Sequence, residues 1–313
     1  MDDTDQNISI PDQGNDVTAW LASLCGRRDL CVIGPSQHRP DTFTVIELAN
    51  RHDMDLWIAG RSAPGEATFG RFNDVVNVMA RLRHPHILSV FDAGVHEQRA
   101  YLLIEHVAGR SLKERIRAQP LTVAEAAGLS IGLAGAVESM HRQGFDDLDL
   151  TTTGVFSSED GTLKIDLRRT LDRRVFGGIE SDGWFIMGGI TGCEAPEMIE
   201  GQVDRNGRAA DVYALGAILF EMLTGRAALI RGAVGLEAIR RILKRDPERP
   251  RSLNKSVDRD LESICLRCLA KNPKQRYGSA ASLAAELERW RARAERTGLI
   301  GQLWRRFLAG ARR

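Results

Sequence analysis

The chain has 313 residues, with 43 Lys or Arg against 42 Asp or Glu, so its formal net charge is +1. This balance argues against nucleic acid as an obligatory partner, because proteins that bind it carry clustered positive charge. Hydrophobic residues make up 43% of the chain and charged residues 27%, which is typical of a globular protein with a large core. The composition excludes a collagen, a coiled coil and a wholly disordered chain.

The apolar patterning and the cysteine content predict a cytoplasmic protein. Residues 1–16 are acidic and polar and lack the basic start and apolar segment of a secretory signal. The chain has no run of 18 or more apolar residues, so no membrane span is predicted. Five cysteines, an odd number, do not make a disulfide framework, which favours a reducing compartment. The C-x-x-C pair Cys265 and Cys268 lies in a helical pattern without further metal ligands, so we interpret both as core residues.

The first third of the chain is rich in β-forming residues. They flank a turn-like segment at 50–55 and predict a β-hairpin. Apolar residues recur at helical spacing between 69 and 82, and we expect Pro85 to end that helix. In chain order the predicted elements are a helix at 18–24, strands at 43–49 and 56–61, a helix at 69–84, and strands at 86–95 and 99–107.

From Leu112 onward the pattern is mainly helical, apart from a β-like stretch at 152–167 and a glycine-rich loop at 177–189. Helices are predicted at 113–118, 122–144, 211–225, 234–244, 260–271 and 281–296. We therefore expect two parts, joined near Val107–Gly109. The expected segments are a polar extension with a short helix at 1–30, a strand-rich lobe at 31–107, a helical lobe at 108–293 and a basic amphipathic helix at 294–313.

Five motifs in a fixed order carry a resemblance to a known family. They are MARLRHPHILSVFDAG, RAYLLIEHVAGRSLKERI, EAPEMIEG, AADVYALGAILFEMLTG and CLAKNPKQRYGSAASLAAELERW. Over residues 40–293 the chain resembles the bacterial Ser/Thr protein kinases of the eukaryotic type. The resemblance implies an α+β fold, the two-lobed protein kinase fold, with a small β-rich N-lobe and a large helical C-lobe.

Three scaffold residues of that family have counterparts here. Glu197 closes the Ala-Pro-Glu motif, and Arg276 stands where the family pairs an arginine with that glutamate. The resemblance implies a buried, two-pronged ion pair between them. It also implies that Asp211 accepts hydrogen bonds from the backbone of the catalytic loop.

The phosphate-binding parts of the N-lobe depart from the family pattern. Arg61 stands at the position of the family's phosphate-binding lysine, and Val75 at that of the glutamate that pairs with it. Arginine presents a planar guanidinium with fixed donors, so it does not bind phosphate in the same way as the compact ammonium group of lysine. The three glycines of the family's phosphate loop are replaced by Arg39, Asp41 and Thr44.

The catalytic loop, FDDLDLTTTGVF, keeps one functional residue of the family. Asp149 holds the position of the catalytic base. Leu148 replaces an arginine, Thr151 replaces the lysine that steadies the transferred phosphate, and Gly154 replaces the asparagine that holds a metal ion. Each change removes a group that phosphoryl transfer uses.

The metal-binding motif is ambiguous because the spacing is one residue short. Either Asp166 is the metal ligand, which a deletion in the preceding turn allows, or Leu167 takes the position and no ligand remains. We favour Asp166. Arg168 then replaces a glycine, and its charge opposes a bound cation. On the substrate side Ile190 and Cys193 replace a threonine and a tyrosine.

Two further charged segments have open interpretations. The arginines that follow the metal motif form either an anion site or a solvated loop, and they are Arg168, Arg169, Arg173 and Arg174. Residues 299–309 place apolar side chains on one helical face and arginines on the other. We expect this helix to dock on the C-lobe or on a protein partner, or to bind an anionic membrane surface from the cytoplasm.

These substitutions favour a pseudokinase, a kinase-shaped regulatory or scaffolding protein with little or no phosphotransfer. One alternative is a divergent active Ser/Thr kinase that uses Arg61, Asp149 and Asp166. The other is a switch that binds ATP without transferring its phosphate. ATP and Mg²⁺ are the cofactors that the resemblance implies. The adenine would bind backbone groups of Glu105 and Val107 in the segment Glu105-His106-Val107, which we call the hinge.

Overall fold

The computed structural model describes residues 14–36, 42–59, 66–176, 190–201, 207–230, 232–296 and 298. In chain order its elements are α1 (Gly14–Arg27), β1 (Leu30–Pro35), β2 (Thr42–Glu47), β3 (His52–Ala59), α2 (Glu66–Met79), β4 (Val90–His96), β5 (Arg99–Glu105), α3 (Leu112–Ala118), α4 (Val123–Arg142), β6 (Val155–Ser157), β7 (Leu163–Ile165), α5 (Arg168–Val175), α6 (Pro196–Ile199), α7 (Gly207–Thr224), α8 (Gly235–Lys244), α9 (Pro250–Leu253), α10 (Arg259–Cys268), a 3-10 turn (Pro273–Gln275) and α11 (Ala280–Arg296).

The described residues divide into two compact units. The first takes the parts of the chain up to Arg81, then Leu88–Val107 and Leu171–Phe176. The second takes the remainder. The first contains a β-sheet and the second is mainly helical, so the expected α+β class is confirmed.

The first unit contains a five-stranded antiparallel sheet with the order β1-β2-β3-β5-β4. Alternate residues of its strands, including Val45 and Leu56, pack with Trp20, Leu21 and Leu24 of α1 in one core. We expected residues 1–30 to be a polar extension with a short helix; the helix is present as α1, but it belongs to this core. The reason is that its apolar residues recur at helical spacing and so form one buried face.

Two predicted boundaries in this unit differ from the structure. Strand β3 begins at His52, so the hairpin turn is shorter than the segment 50–55 that we expected, and Arg51 takes a left-handed φ of 55° in it. Helix α2 ends at Met79, well before Pro85, because the backbone changes from α-helical to 3-10-type hydrogen bonding there. The N–H of Arg81 donates to the carbonyl of Val78 at 3.0 Å, a three-residue bond that closes the last turn.

The second unit is built around α7, in which every residue from Ala210 to Leu223 is buried. Helices α4, α10 and α11 pack on it because their apolar faces need cover. Helix α4 is long and apolar enough to span a membrane, but half of that stretch is buried inside this unit, as in the core helix of a globular protein. Cys265 and Cys268 are fully buried, which confirms their interpretation as core residues.

Candidate functional site

The loop that precedes β6 is anchored by Asp211 of α7. This residue is 2% exposed, and its carboxylate accepts hydrogen bonds from the N–H groups of Asp147 at 2.9 Å and Leu148 at 2.7 Å. It also contacts His141 Nε2 at 2.8 Å. Burial raises the pKa of Asp211, and the hydrogen bonds from His141 and Leu148 act in the opposite direction. Asp211 therefore fixes the position of the backbone that carries Asp149.

The same loop holds two aspartates in a left-handed backbone conformation. The φ angles are 53° for Asp147 and 50° for Asp149. Such angles cost a residue with a side chain about 1–3 kcal/mol and persist where the surroundings enforce them. Besides Asp211, Thr170 contributes to this, because its hydroxyl donates to the carbonyl of Leu148 at 2.5 Å. The loop is held from two elements of the second unit.

Asp149, at the position of the catalytic base, is ion-paired. One carboxylate oxygen, Oδ2, accepts from Arg169 Nε at 3.2 Å and lies 3.1 Å from Arg169 Nη2. The side chain of Asp149 is 10% exposed. The carboxylate of Asp149 is therefore engaged by a cation from the first turn of α5.

Asp166 directly follows β7, and its N–H donates to the carbonyl of Gly154 at 2.9 Å. The next residue, Leu167, is 3% exposed and apolar. This arrangement favours Asp166 over Leu167 as the polar group of the motif. Arg168 binds both of its oxygens, with Nε at 3.1 and 3.0 Å and Nη2 at 2.7 Å from Oδ2. The N–H of Arg168 adds a fourth bond at 3.0 Å.

Two successive arginines thus neutralise the two carboxylates that catalysis would use. A divalent cation such as Mg²⁺ needs those carboxylate oxygens as ligands. Arg168 covers both oxygens of Asp166, and Arg169 covers one of Asp149. In the described part of the chain no group of three or more metal-binding side chains occurs. The residues present here do not fit a bound Mg²⁺.

The substituted positions Thr151 and Gly154 are packed against each other. The Thr151 hydroxyl contacts that of Thr153 at 3.0 Å and accepts the N–H of Gly154 at 3.0 Å. A Cβ atom at Gly154 would lie 3.2 Å from Thr151 Oγ1. The asparagine that the family has here would therefore press on Thr151.

The Ala-Pro-Glu segment is fastened by a buried ion pair. Arg276 Nη1 and Nη2 donate to the two oxygens of Glu197 at 2.5 and 2.7 Å, and both residues are 3% exposed. The same guanidinium lies over the ring of Tyr213, 4.9 Å from its centroid. The structure brings these residues together as the family resemblance implies.

Sequence reasoning missed Glu194, a buried carboxylate just before that segment. It accepts the N–H and hydroxyl of Thr191 at 2.9 and 2.7 Å and the N–H of Gly192 at 2.8 Å. The spacing Thr-x-x-Glu is a capping-box pattern and could have indicated it. Cys193, between them, is buried, and burial raises the pKa of its thiol.

The hinge belongs to the first unit and is tied to its sheet. The N–H of Glu105 donates to the carbonyl of Ser89 at 2.9 Å, and Val107 is 6% exposed. Between the two, His106 Nδ1 lies 2.8 Å from Oδ1 of Asp55, a β3 residue that is 1% exposed. Sequence reasoning did not identify Asp55, because nothing in its spacing marks it.

Several residues that we expected at the site lie outside the described part of the chain. Strand β3 ends at Ala59, and Arg61 lies outside the described residues, as do Arg39, Asp41 and residues 299–309. In α2, Val75 is half-buried and its neighbour Asp74 is exposed.

Comparison with known proteins finds relatives among the bacterial serine/threonine-protein kinases. The chain is 28% identical over 229 residues to the serine/threonine-protein kinase PknB of Mycobacterium tuberculosis, which covers 70% of this chain and 35% of that protein. It is 28% identical over 222 residues to PrkC of Bacillus subtilis, covering 70% of this chain and 33% of PrkC. The chain therefore spans about a third of the length of these relatives.

Solved structures share the fold. The PknI kinase domain of Mycobacterium tuberculosis matches with a TM-score of 0.61 at 21% identity, over 83% of this chain and 95% of that one. Rad53, in complex with AMP-PNP, matches with a TM-score of 0.64 at 18% identity, over 82% of this chain and 64% of that one. The sequence model of the protein kinase domain matches residues 70–287, more than half of the chain. The chain belongs to the protein kinase family.

Proposed function

We propose that this protein is a pseudokinase, a regulatory or scaffolding protein of kinase fold with little or no phosphotransfer. The observation that carries the proposal is the pairing of Asp149 with Arg169 and of Asp166 with Arg168. Each carboxylate that would accept a proton or bind a metal is engaged by a guanidinium from its own chain.

The chemistry of phosphoryl transfer supports this proposal. The reaction depends on positioned cations that neutralise the charge of the moving phosphate and on a base that orients the nucleophile. Thr151 and Gly154 supply neither the cation nor the metal ligand that the family has there.

The scaffold contacts of the second unit, in contrast, are formed among the described residues. Glu197, Arg276 and Asp211 make the contacts that hold the segment and the loop in place. An intact scaffold with a blocked site suits a protein that acts by binding. We propose a protein partner, in the cytoplasm, and from the sequence alone we propose that the basic segment 299–309 binds that partner or an anionic membrane.

Incubation of the full chain with radiolabelled ATP and either Mg²⁺ or Mn²⁺ tests the proposal. We expect no autophosphorylation and no transfer to a generic protein substrate, and the same result for Asp149→Asn. A signal in the wild type that Asp149→Asn abolishes would show instead that the protein is a divergent active kinase. A thermal shift with ATP alone, without phosphate transfer, would favour the nucleotide-binding switch.

A further inference from the structure

The most exposed large apolar side chains that the structure describes lie together at the start of α8. Val234 is 85% exposed and Leu236 is 80% exposed. They flank Gly235, whose φ of 55° belongs to the left-handed region that glycine adopts without strain. Exposed apolar groups in one place usually mark an interaction site.

Beyond Val234 and Leu236, the outward side of α8 carries both apolar and positively charged residues. The helix packs inward through Ala238 and Ile242, both fully buried. Leu236, Arg240 and Leu243 follow at spacings of four and three residues, so they share the opposite side. We call Val234, Leu236, Arg240, Leu243 and Lys244 the α8 surface.

The charge on this surface is positive. Arg240 and Lys244 are exposed, and just after the helix the exposed Arg245 is followed by an exposed Asp246, so the cations remain in excess. The one acidic residue of α8 is Glu237, and it is bound by Arg241 at 2.8 Å. That hydrogen bond lowers the pKa of Glu237, and the negative charge of Glu237 is balanced by Arg241. An occupant of the α8 surface must therefore offer both apolar groups and negative charge.

We propose that the α8 surface docks on an anionic lipid bilayer, with Val234 and Leu236 in the acyl boundary and the cations at the headgroups. Apolar residues beside lysine and arginine are the pattern of elements that lie in the membrane interface. Two almost fully exposed side chains suit a deformable bilayer, which needs no complementary pocket.

Flotation of the full chain with vesicles tests the proposal. The wild type should float with vesicles of phosphatidylcholine and phosphatidylglycerol at low salt, and not with phosphatidylcholine alone. Val234→Ser with Leu236→Ser should lower the bound fraction about tenfold or more, because two buried side chains are lost. Arg240→Glu with Lys244→Glu should do the same. The matched control is Leu48→Ser, which removes a 60% exposed apolar residue of the first unit and should change nothing.

A fluorescent probe reports insertion directly. Cys31 is the exposed cysteine and the other four are buried, so Cys31→Ser with Leu236→Cys allows an environment-sensitive dye at one site. Its emission should shift to the blue with anionic vesicles only. Unchanged flotation of the serine variant, or no emission shift, overturns the proposal. A dimer that becomes monomeric in the serine variant, with unchanged flotation, would assign the surface to a second copy instead.

Discussion

Arg276 donates from both terminal nitrogens to the two carboxylate oxygens of Glu197, which lies 79 residues earlier in the chain. The remaining donors of Arg276 are also used. Nη1 reaches the carbonyl of Ala209 at 2.9 Å, and Nε that of Ala270 at 2.8 Å. A buried charge is tolerated when its hydrogen bonds are complete, so removal of one partner exposes the full desolvation cost of the other.

Glu197→Ala should therefore lower the free energy of unfolding by about 3–5 kcal/mol, because the guanidinium stays buried without its counter-charge. Urea denaturation followed by circular dichroism measures this. The double variant Glu197→Leu with Arg276→Met should recover part of the loss, because no buried charge remains, although the carbonyls of Ala209 and Ala270 lose their donor. A change below about 1 kcal/mol in Glu197→Ala would contradict a buried pair.

Two glycines of α4 offer a matched test of packing. A Cβ atom at Gly132 would lie 2.3 Å from His86 Nε2, and that ring is fixed by a 2.7 Å hydrogen bond between Nδ1 and the carbonyl of Leu163. At Gly135 the nearest atom, on His84, would be 3.6 Å away. Gly132→Ala should destabilise the protein by about 1–3 kcal/mol because the ring must move.

Gly135→Ala serves as the control for helix propensity. It should stabilise the protein by roughly 0.5–1 kcal/mol, since alanine favours the helix and meets no clash. Thermal or urea unfolding of the two variants side by side measures the difference. Equal effects of the two substitutions would mean that the His86 ring does not occupy the space beside Gly132.

The sequence predicted the α+β class and most of the elements because hydrophobic periodicity and motif order are local properties. It predicted a short helix at 18–24 but not that α1 lies in the core of the first unit, because packing against a distant sheet is not a local property of the sequence. It also could not tell which carboxylate each arginine would bind. Arg168 and Arg169 start a helix, in which successive side chains point about 100° apart, and this divergence directs them to Asp166 and Asp149.

Removal of these guanidinium groups should create affinity for a divalent cation. Arg168→Gly with Arg169→Ala removes the two guanidinium groups that bind the carboxylates of Asp166 and Asp149, and carboxylate oxygens are ligands that Mn²⁺ accepts. Electron paramagnetic resonance of Mn²⁺ should show binding by this variant and none by the wild type. Adding Asp166→Asn should abolish it. Mn²⁺ binding by the wild type at a comparable level would remove the basis of the proposed blocked site.

Lys271 gives the protein a pH dependence that a single substitution should reveal. Its Nζ donates to the carbonyl of Ile242 at 2.7 Å. Burial lowers the pKa of its ammonium group to about 8. In the unfolded chain the pKa of a lysine is about 10.4. Between the folded and the unfolded pKa the unfolded state therefore binds more protons than the folded state. Stability through this group therefore rises as the pH increases from about 8 to about 10.

Lys271→Met abolishes that titration. We expect the stability of the wild type to increase relative to Lys271→Met as the pH is raised through this window, whatever their difference at neutral pH. Urea midpoints at a series of pH values measure the trend, with Lys255→Met, at an exposed lysine, as the control for loss of a charge. Parallel pH profiles of the wild type and Lys271→Met would show that the Lys271 ammonium is not disfavoured in the fold. A divergence with the opposite sign would mean that Asp246, whose charge favours the ammonium form, outweighs burial.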